Sequence, residues 1–149
     1  MCGVFGICSS VGQTEEIART VDVGLEQVSH RGPDATGKFS VELGGVKVCL
    51  GHKRLAIIGL ETGIGSQPMQ HIDLIASFNG EIYNFRDLGK SELGLQEKDI
   101  ESDTELLVRL WQKDGPSCVK KLRGIFAFCV LDKKEGKVFL VRDRFGVKP

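Results

Sequence analysis

Met1-Cys2-Gly3-Val4-Phe5-Gly6-Ile7 opens the chain, and the apolar run behind Cys2 has the length and composition of a short buried strand. Ile17, Val21, Leu25 and Val28 then fall at helical spacing, with Glu15 and Glu16 in the first turn, so residues 14–28 read as a helix. His30-Arg31-Gly32-Pro33-Asp34 stops it in a rigid polar loop. Runs at 37–43 and 46–50 flank Gly44-Gly45, a strong hairpin signal. A further strand is expected over 55–60, a loop over 63–68, and a strand over 74–78 leading into Asn79-Gly80. Ser102-Asp103-Thr104-Glu105 has the form of a capping box ahead of Leu106, Leu107, Leu110 and Trp111, and Gly115-Pro116 ends that helix. A shorter helix is expected over 117–122. Residues 125–131 and 138–141 make a second hairpin over Lys133-Lys134-Glu135-Gly136. Strands at both ends with the main helices between them predict an α+β layered domain.

Composition narrows the function classes. The 149 residues suit one domain, and 20 Lys+Arg balance 20 Asp+Glu. Zero net charge argues against nucleic-acid binding through bulk positive charge and against a polybasic membrane anchor. No window reaches eighteen apolar residues and no signal peptide begins the chain, so a cytoplasmic setting with free thiols is expected for its five cysteines, none in a C-x-x-C pair. His30, His52 and His71 lack metal-ligand spacing, so no metal site is expected. Nineteen glycines, against an average usage of about 7%, imply many tight turns or close backbone approaches. Val138-Phe139-Leu140-Val141-Arg142-Asp143 runs into Phe145-Gly146-Val147-Lys148-Pro149, an apolar-basic ending that reads as a cut inside a larger protein.

The sharpest chemical feature is Cys2. Removal of Met1 leaves a thiol and a free α-amine on one residue, and the amine's ordinary pKa, about 7.7–8.0, suits it to act as base for the thiol. The plain alternative is a buried cysteine that happens to be second. Asn79-Gly80-Glu81 offers a side-chain amide and a glycine N–H, the donor types of an oxyanion hole, or else an ordinary Asn-Gly turn. Arg54 suits bidentate grip of a carboxylate, or is a solvated strand-edge charge. Asp103 suits a substrate ammonium, or supports the helix cap. Together they describe an amino-acid site.

These segments, with Gly51-His52-Lys53-Arg54-Leu55-Ala56-Ile57, Gln67-Pro68-Met69, Phe78-Asn79-Gly80-Glu81-Ile82-Tyr83-Asn84 and Arg142-Asp143-Arg144-Phe145-Gly146-Val147-Lys148-Pro149, resemble the ordered signature of class II glutamine amidotransferases. Within that family they are most similar to the glutaminase domain of glutamine-hydrolysing asparagine synthetases. The resemblance implies an N-terminal-nucleophile hydrolase fold, a four-layer αββα sandwich of two antiparallel sheets. It makes residues 1–149 a type-2 glutamine amidotransferase domain incomplete at its C-terminal end. It implies that Cys2 attacks the amide of L-glutamine, with Asn79 and Gly80 as oxyanion hole, Arg54 on the α-carboxylate, and Glu81 and Asp103 on the α-ammonium. No cofactor is expected in this segment; ATP and Mg²⁺ belong to an absent synthetase domain, joined in cis or acting in trans. No nucleic acid or membrane partner is expected, and the full-length enzyme is a candidate homodimer. Other readings stay open: a sugar or peptide carboxylate as acceptor, or a non-catalytic glutamine-binding or partner module. The chain departs from the family at Ile57-Ile58-Gly59-Leu60, where an Asp usually follows the strand, and in the longer loop up to Gln67-Pro68.

Overall fold

The computed structural model describes residues 2–56, 66–96 and 99–149. Its elements run β1 (Gly3–Ser9), α1 (Thr14–Gln27), β2 (Ala35–Leu43), β3 (Val46–Arg54), β4 (Met69–His71), β5 (Leu74–Ile82), α2 (Phe85–Leu93), α3 (Asp103–Asp114), β6 (Gly124–Asp132) and β7 (Lys137–Arg142). A 3₁₀ turn covers Ser29–Arg31 and a 3₁₀ segment covers Gly115–Lys121. The strands form two antiparallel sheets, β1-β3-β2 and β4-β5-β6-β7.

Side chains of a strand alternate between its two faces, and that alternation sorts the core into three layers. On β3, Cys49 packs with Ile17, Val21 and Leu25 of α1, which covers the outer face of the first sheet. Val48 and Leu50 point the other way and meet Ile75, Cys129 and Leu131 of the second sheet. Ala76, Phe78, Phe126, Phe128 and Val130 face outward from the second sheet against Leu106, Leu107, Leu110 and Trp111 of α3. Helix, sheet, sheet, helix is the expected four-layer order, in an α+β architecture.

Local chemistry accounts for most boundaries. Gly44 (φ 57°) and Gly45 (φ 81°) supply the two positive-φ residues of a tight hairpin between Leu43 and Val46. Ser102 caps α3 by accepting from the Glu105 N–H at 3.1 Å, and the Glu105 carboxylate accepts from the Glu101 N–H rather than from that of Ser102. Gly115 ends α3 at φ 59°.

Several expectations need correction. The strand expected over 46–50 continues to Arg54, because Gly51, His52 and Lys53 pair with β1 on one side and β2 on the other. Leu55 and Ala56 lie beyond its end; the rest of the strand expected at 55–60, and 63–65 of the expected loop, fall outside the described residues. The short helix at 117–122 is instead the 3₁₀ segment Gly115–Lys121. The strand at 74–78 runs on to Ile82, and β4 and α2 were not anticipated.

Candidate functional site

Cys2 immediately precedes β1, and the register Gly3↔Lys53 sets it alongside Arg54 at the end of the central strand. Its thiol points at the Leu55 carbonyl, 4.0 Å away. Arg31, on the 3₁₀ turn after α1, donates through Nε to the Cys2 carbonyl at 3.2 Å. The neighbouring Gly32 lets this loop lie on β3, since a Cβ there would sit 2.2 Å from the Lys53 carbonyl oxygen. Asp34 then brackets the strand end: its N–H donates to the Arg54 carbonyl at 3.0 Å and its carboxylate accepts from the Ala56 N–H at 2.7 Å. The loop after α1 therefore holds both Cys2 and Arg54 by their backbones.

Asn79 comes from the other sheet. Ile75, Ser77 and Asn79 alternate on the face of β5 that looks toward β1 and β3, and Asn79 is buried. Asn79-Gly80 is not a turn; it is mid-strand, paired with Ala127 and Phe126. Gly80 has φ 153°, and a Cβ would lie 2.1 Å from the Ile125 carbonyl oxygen, so both conformation and space demand glycine. Among the described residues, Asn79 Oδ1 is buried without a hydrogen-bond partner.

Asp103 opens α3, but Ser102 makes the cap, which frees the Asp103 carboxylate from that task. Asp103 Oδ2 accepts from the Ile82 N–H at 3.1 Å. Burial pushes its pKa up, backbone N–H donors from Ile82 and Thr104 pull it back, and the charge of Glu81 pushes it up again. Glu81 and Asp103 thus form an electrostatically coupled pair beyond the end of the Asn79 row.

Cys2, Arg31, Asn79 and Arg142 line one cavity of about 530 Å³, whose wall is completed by Val4, Val28, Ala127, Phe128, Leu140, Val141 and Pro149. The structure therefore brings Cys2 and Asn79 together from two sheets. Arg54, Glu81 and Asp103 do not line this cavity; Arg54 is tied to it through its register beside Cys2. Arg31, Asp34 and Arg142 are site residues that the sequence reading did not single out. Arg31 and Asp34 lie in a recognised loop, but the partners described above are twenty or more residues away in the chain. Arg142 and Pro149 are placed by Asp143, whose buried carboxylate accepts from the N–H groups of Phe126, Phe145, Val147 and Lys148 at 2.9–3.2 Å. Burial alone would raise its pKa, but those four donors win and hold it at about 2.

The remaining cysteines are chemically quiet. Burial pushes the Cys118 and Cys129 thiols up to about 12 and raises Cys8; Cys49 is buried. Among the described residues, no group of three or more His, Cys, Asp or Glu side chains is placed to hold a metal ion, and no helix is long and apolar enough to cross a membrane.

A thiol, a buried amide side chain and two guanidinium groups around one small cavity suit nucleophilic attack on an amide or ester of an anionic substrate. Comparison with known proteins agrees. Residues 1–149 match the family model described as a glutamine amidotransferase domain. The chain is 40% identical to asparagine synthetase [glutamine-hydrolyzing] 3 of Bacillus subtilis, over all of this chain and 24% of the relative. It is 39% identical to a protein of Methanocaldococcus jannaschii provisionally named asparagine synthetase [glutamine-hydrolyzing] 2, over all of this chain and 31% of the relative. It is 34% identical to amidase chry2 of Gibberella zeae, over 92% of this chain and 20% of the relative. The chain thus spans less than a third of the length of these relatives.

Proposed function

The chain belongs to the glutamine amidotransferase family, and on that premise we propose that it hydrolyses L-glutamine to glutamate and ammonia through a thioester on Cys2. The observation that carries this reading is the shared cavity, lined by Cys2 from just ahead of β1 and by Asn79 from β5. With Met1 removed, the Cys2 α-amine takes the thiol proton as sulfur attacks the side-chain carbonyl carbon of glutamine. Negative charge develops on the carbonyl oxygen, where the Asn79 side chain and the Gly80 N–H donate to it. The tetrahedral intermediate collapses as the amine passes its proton to the leaving nitrogen, which departs as ammonia. Water then attacks the thioester, with the same amine as base, releasing glutamate and the thiol. Arg54 holds the substrate α-carboxylate, while Glu81 and Asp103 hold its α-ammonium.

In the full-length protein the ammonia converts aspartate to asparagine, the activity in the printed names of the Bacillus and Methanocaldococcus relatives. Activation of that acceptor with ATP and Mg²⁺ is assigned to a synthetase domain, for which the relatives, more than three times the length of this chain, have room. A second reading keeps the same glutaminase and gives its ammonia to a sugar or peptide carboxylate; the Gibberella relative, named an amidase, shows that chains similar to this one carry names other than asparagine synthetase.

Intact mass spectrometry tests the first step: Met1 is absent, and a diazoketone analogue of glutamine adds once, on Cys2. Retained Met1, or an adduct elsewhere, sinks the amine-as-base mechanism. In the full-length protein, Cys2→Ala abolishes glutamine-dependent synthesis and spares ammonia-dependent synthesis; loss of both makes Cys2 structural. Absence of glutamate release from the unaltered protein would favour a binding module.

A further inference from the structure

His52 is fully buried on β3, two residues before Arg54, and Ser77 is fully buried on β5, two residues before Asn79. His52 Nδ1 and Ser77 Oγ are 3.0 Å apart, a hydrogen bond that crosses from one sheet to the other. Around the pair this inter-sheet layer is packed with Val48, Leu50, Ile75, Cys129 and Leu131, and Asn79 is the next buried polar side chain along that face of β5. Such a neutral buried pair adds little net stability, because each partner gives up a hydrogen bond to water to form it. What it supplies instead is direction and a fixed separation, which apolar contacts lack. Burial, reinforced by the Arg54 charge, keeps the imidazole neutral at physiological pH, so the bond does not change with ordinary changes in acidity.

The pair sits where the two halves of the site must be aligned. Arg54, and Cys2 alongside it, belong to the first sheet, and Asn79 belongs to the second. On each strand one pleat repeat separates the pinned residue from the site residue, so a slip of one sheet over the other at the pin is transmitted directly to the site. We propose that the His52–Ser77 bridge is a positioning device that keeps the substrate grip and nucleophile of one sheet in line with the oxyanion donors of the other. Neither residue touches substrate. The proposal rests on the glutaminase reading for its kinetic consequence, but its geometric content is independent of turnover.

The test uses the full-length protein and three variants: Ser77→Ala, His52→Leu, and His52→Asn, whose amide can still bond Ser77. Rates of glutamate release are divided by the amount of Cys2 that the diazoketone analogue of glutamine labels, so that unfolded protein does not count. Ser77→Ala and His52→Leu lower kcat per titrated site by about tenfold or more, while KM for glutamine rises by a smaller factor, because Arg54 stays with the nucleophile and only the Glu81–Asp103 grip is displaced. His52→Asn recovers most of the rate. Unchanged kcat per site in both first variants overturns the proposal, as does a loss that His52→Asn fails to relieve. Crystal structures of the unaltered protein and Ser77→Ala give a readout without turnover: the Arg54–Asn79 Cα separation grows by more than about 0.5 Å. Superimposable sites overturn the proposal. A shifted site in a protein that releases no glutamate would strike the glutaminase reading and leave the bridge standing.

Discussion

Arg31 Nε reaches the carbonyl oxygen of Cys2 at 3.2 Å, so the cation that lines the cavity also fixes the backbone of Cys2. The bond runs from the loop after α1 to the residue just ahead of β1, whose thiol points at the Leu55 carbonyl.

Truncating Arg31 to Ala should therefore slow glutamine hydrolysis more than it weakens binding. A hydrogen bond from a charged donor is worth about 1.5–3 kcal/mol, or roughly tenfold to a hundredfold in rate if all of it serves the transition state. Steady-state kinetics would show kcat falling in that range. An unchanged kcat would mean that β1 alone holds Cys2.

Asp103→Asn should trade function for stability. The carboxylate is held above its usual pKa, chiefly by burial, so its ionised form weakens the folded state at neutral pH. Asn keeps an acceptor for the Ile82 N–H and removes the buried charge, so Tm rises. The same change removes a partner for the substrate ammonium, and KM for glutamine rises by about tenfold or more. A thermal melt and a substrate titration check both halves, and a lowered Tm with unaltered KM would reverse the assignment.

Gly80→Ala should fail on two counts. The backbone is at φ 153° and the added methyl would meet the Ile125 carbonyl at 2.1 Å, so β5 and β6 must separate locally. Gly44→Ala, with nothing within 4 Å of the new carbon, bears only the backbone penalty at φ 57°, about 1–2 kcal/mol. The expected result is that Gly80→Ala loses glutaminase activity with lowered Tm, and Gly44→Ala keeps its activity with a smaller shift in Tm.

His52 gives the acid side of the stability curve its shape. Burial and the Arg54 charge lower its pKa from 6.5 to about 4. Between those values the unfolded chain binds a proton that the folded chain refuses, so stability falls as pH drops from 6.5 towards 4, by up to ~1.4 kcal/mol per pH unit. His52→Leu should flatten that limb in urea melts between pH 5 and 7, a range above the titration of Asp143, which is held at about 2. An identical slope in the variant would assign the limb to other groups.

Much of this architecture was legible because pattern and punctuation agreed. The Gly44-Gly45 hairpin, the Ser102 cap and the apolar spacing of α1 each follow from local rules. What escaped was set by tertiary contact. α2 was hidden by Gly89 in its interior, a residue that costs about 1 kcal/mol in a helix; it is there because a Cβ would lie 2.0 Å from Ile100 Cδ1. β5 was cut short at Asn79-Gly80, a pair that marks turns locally and is mid-strand here because Phe126 approaches Gly80 from the neighbouring strand. The same division holds at the site. Cys2 is recognisable from its position and Asn79 from its motif, whereas Arg31, Asp34 and Arg142 gain their places only through partners remote in the chain.

The apolar layer between the sheets has a consequence of its own. Cys2 and Asn79 stand on opposite walls of one slab whose thickness is set by Val48, Leu50, Ile75, Cys129 and Leu131. On the glutaminase reading, turnover becomes a gauge of how closely that slab is filled. A methylene removed from Leu131, remote from the site, would register as a change in rate, and hydrostatic pressure would tune the enzyme by squeezing the same gap.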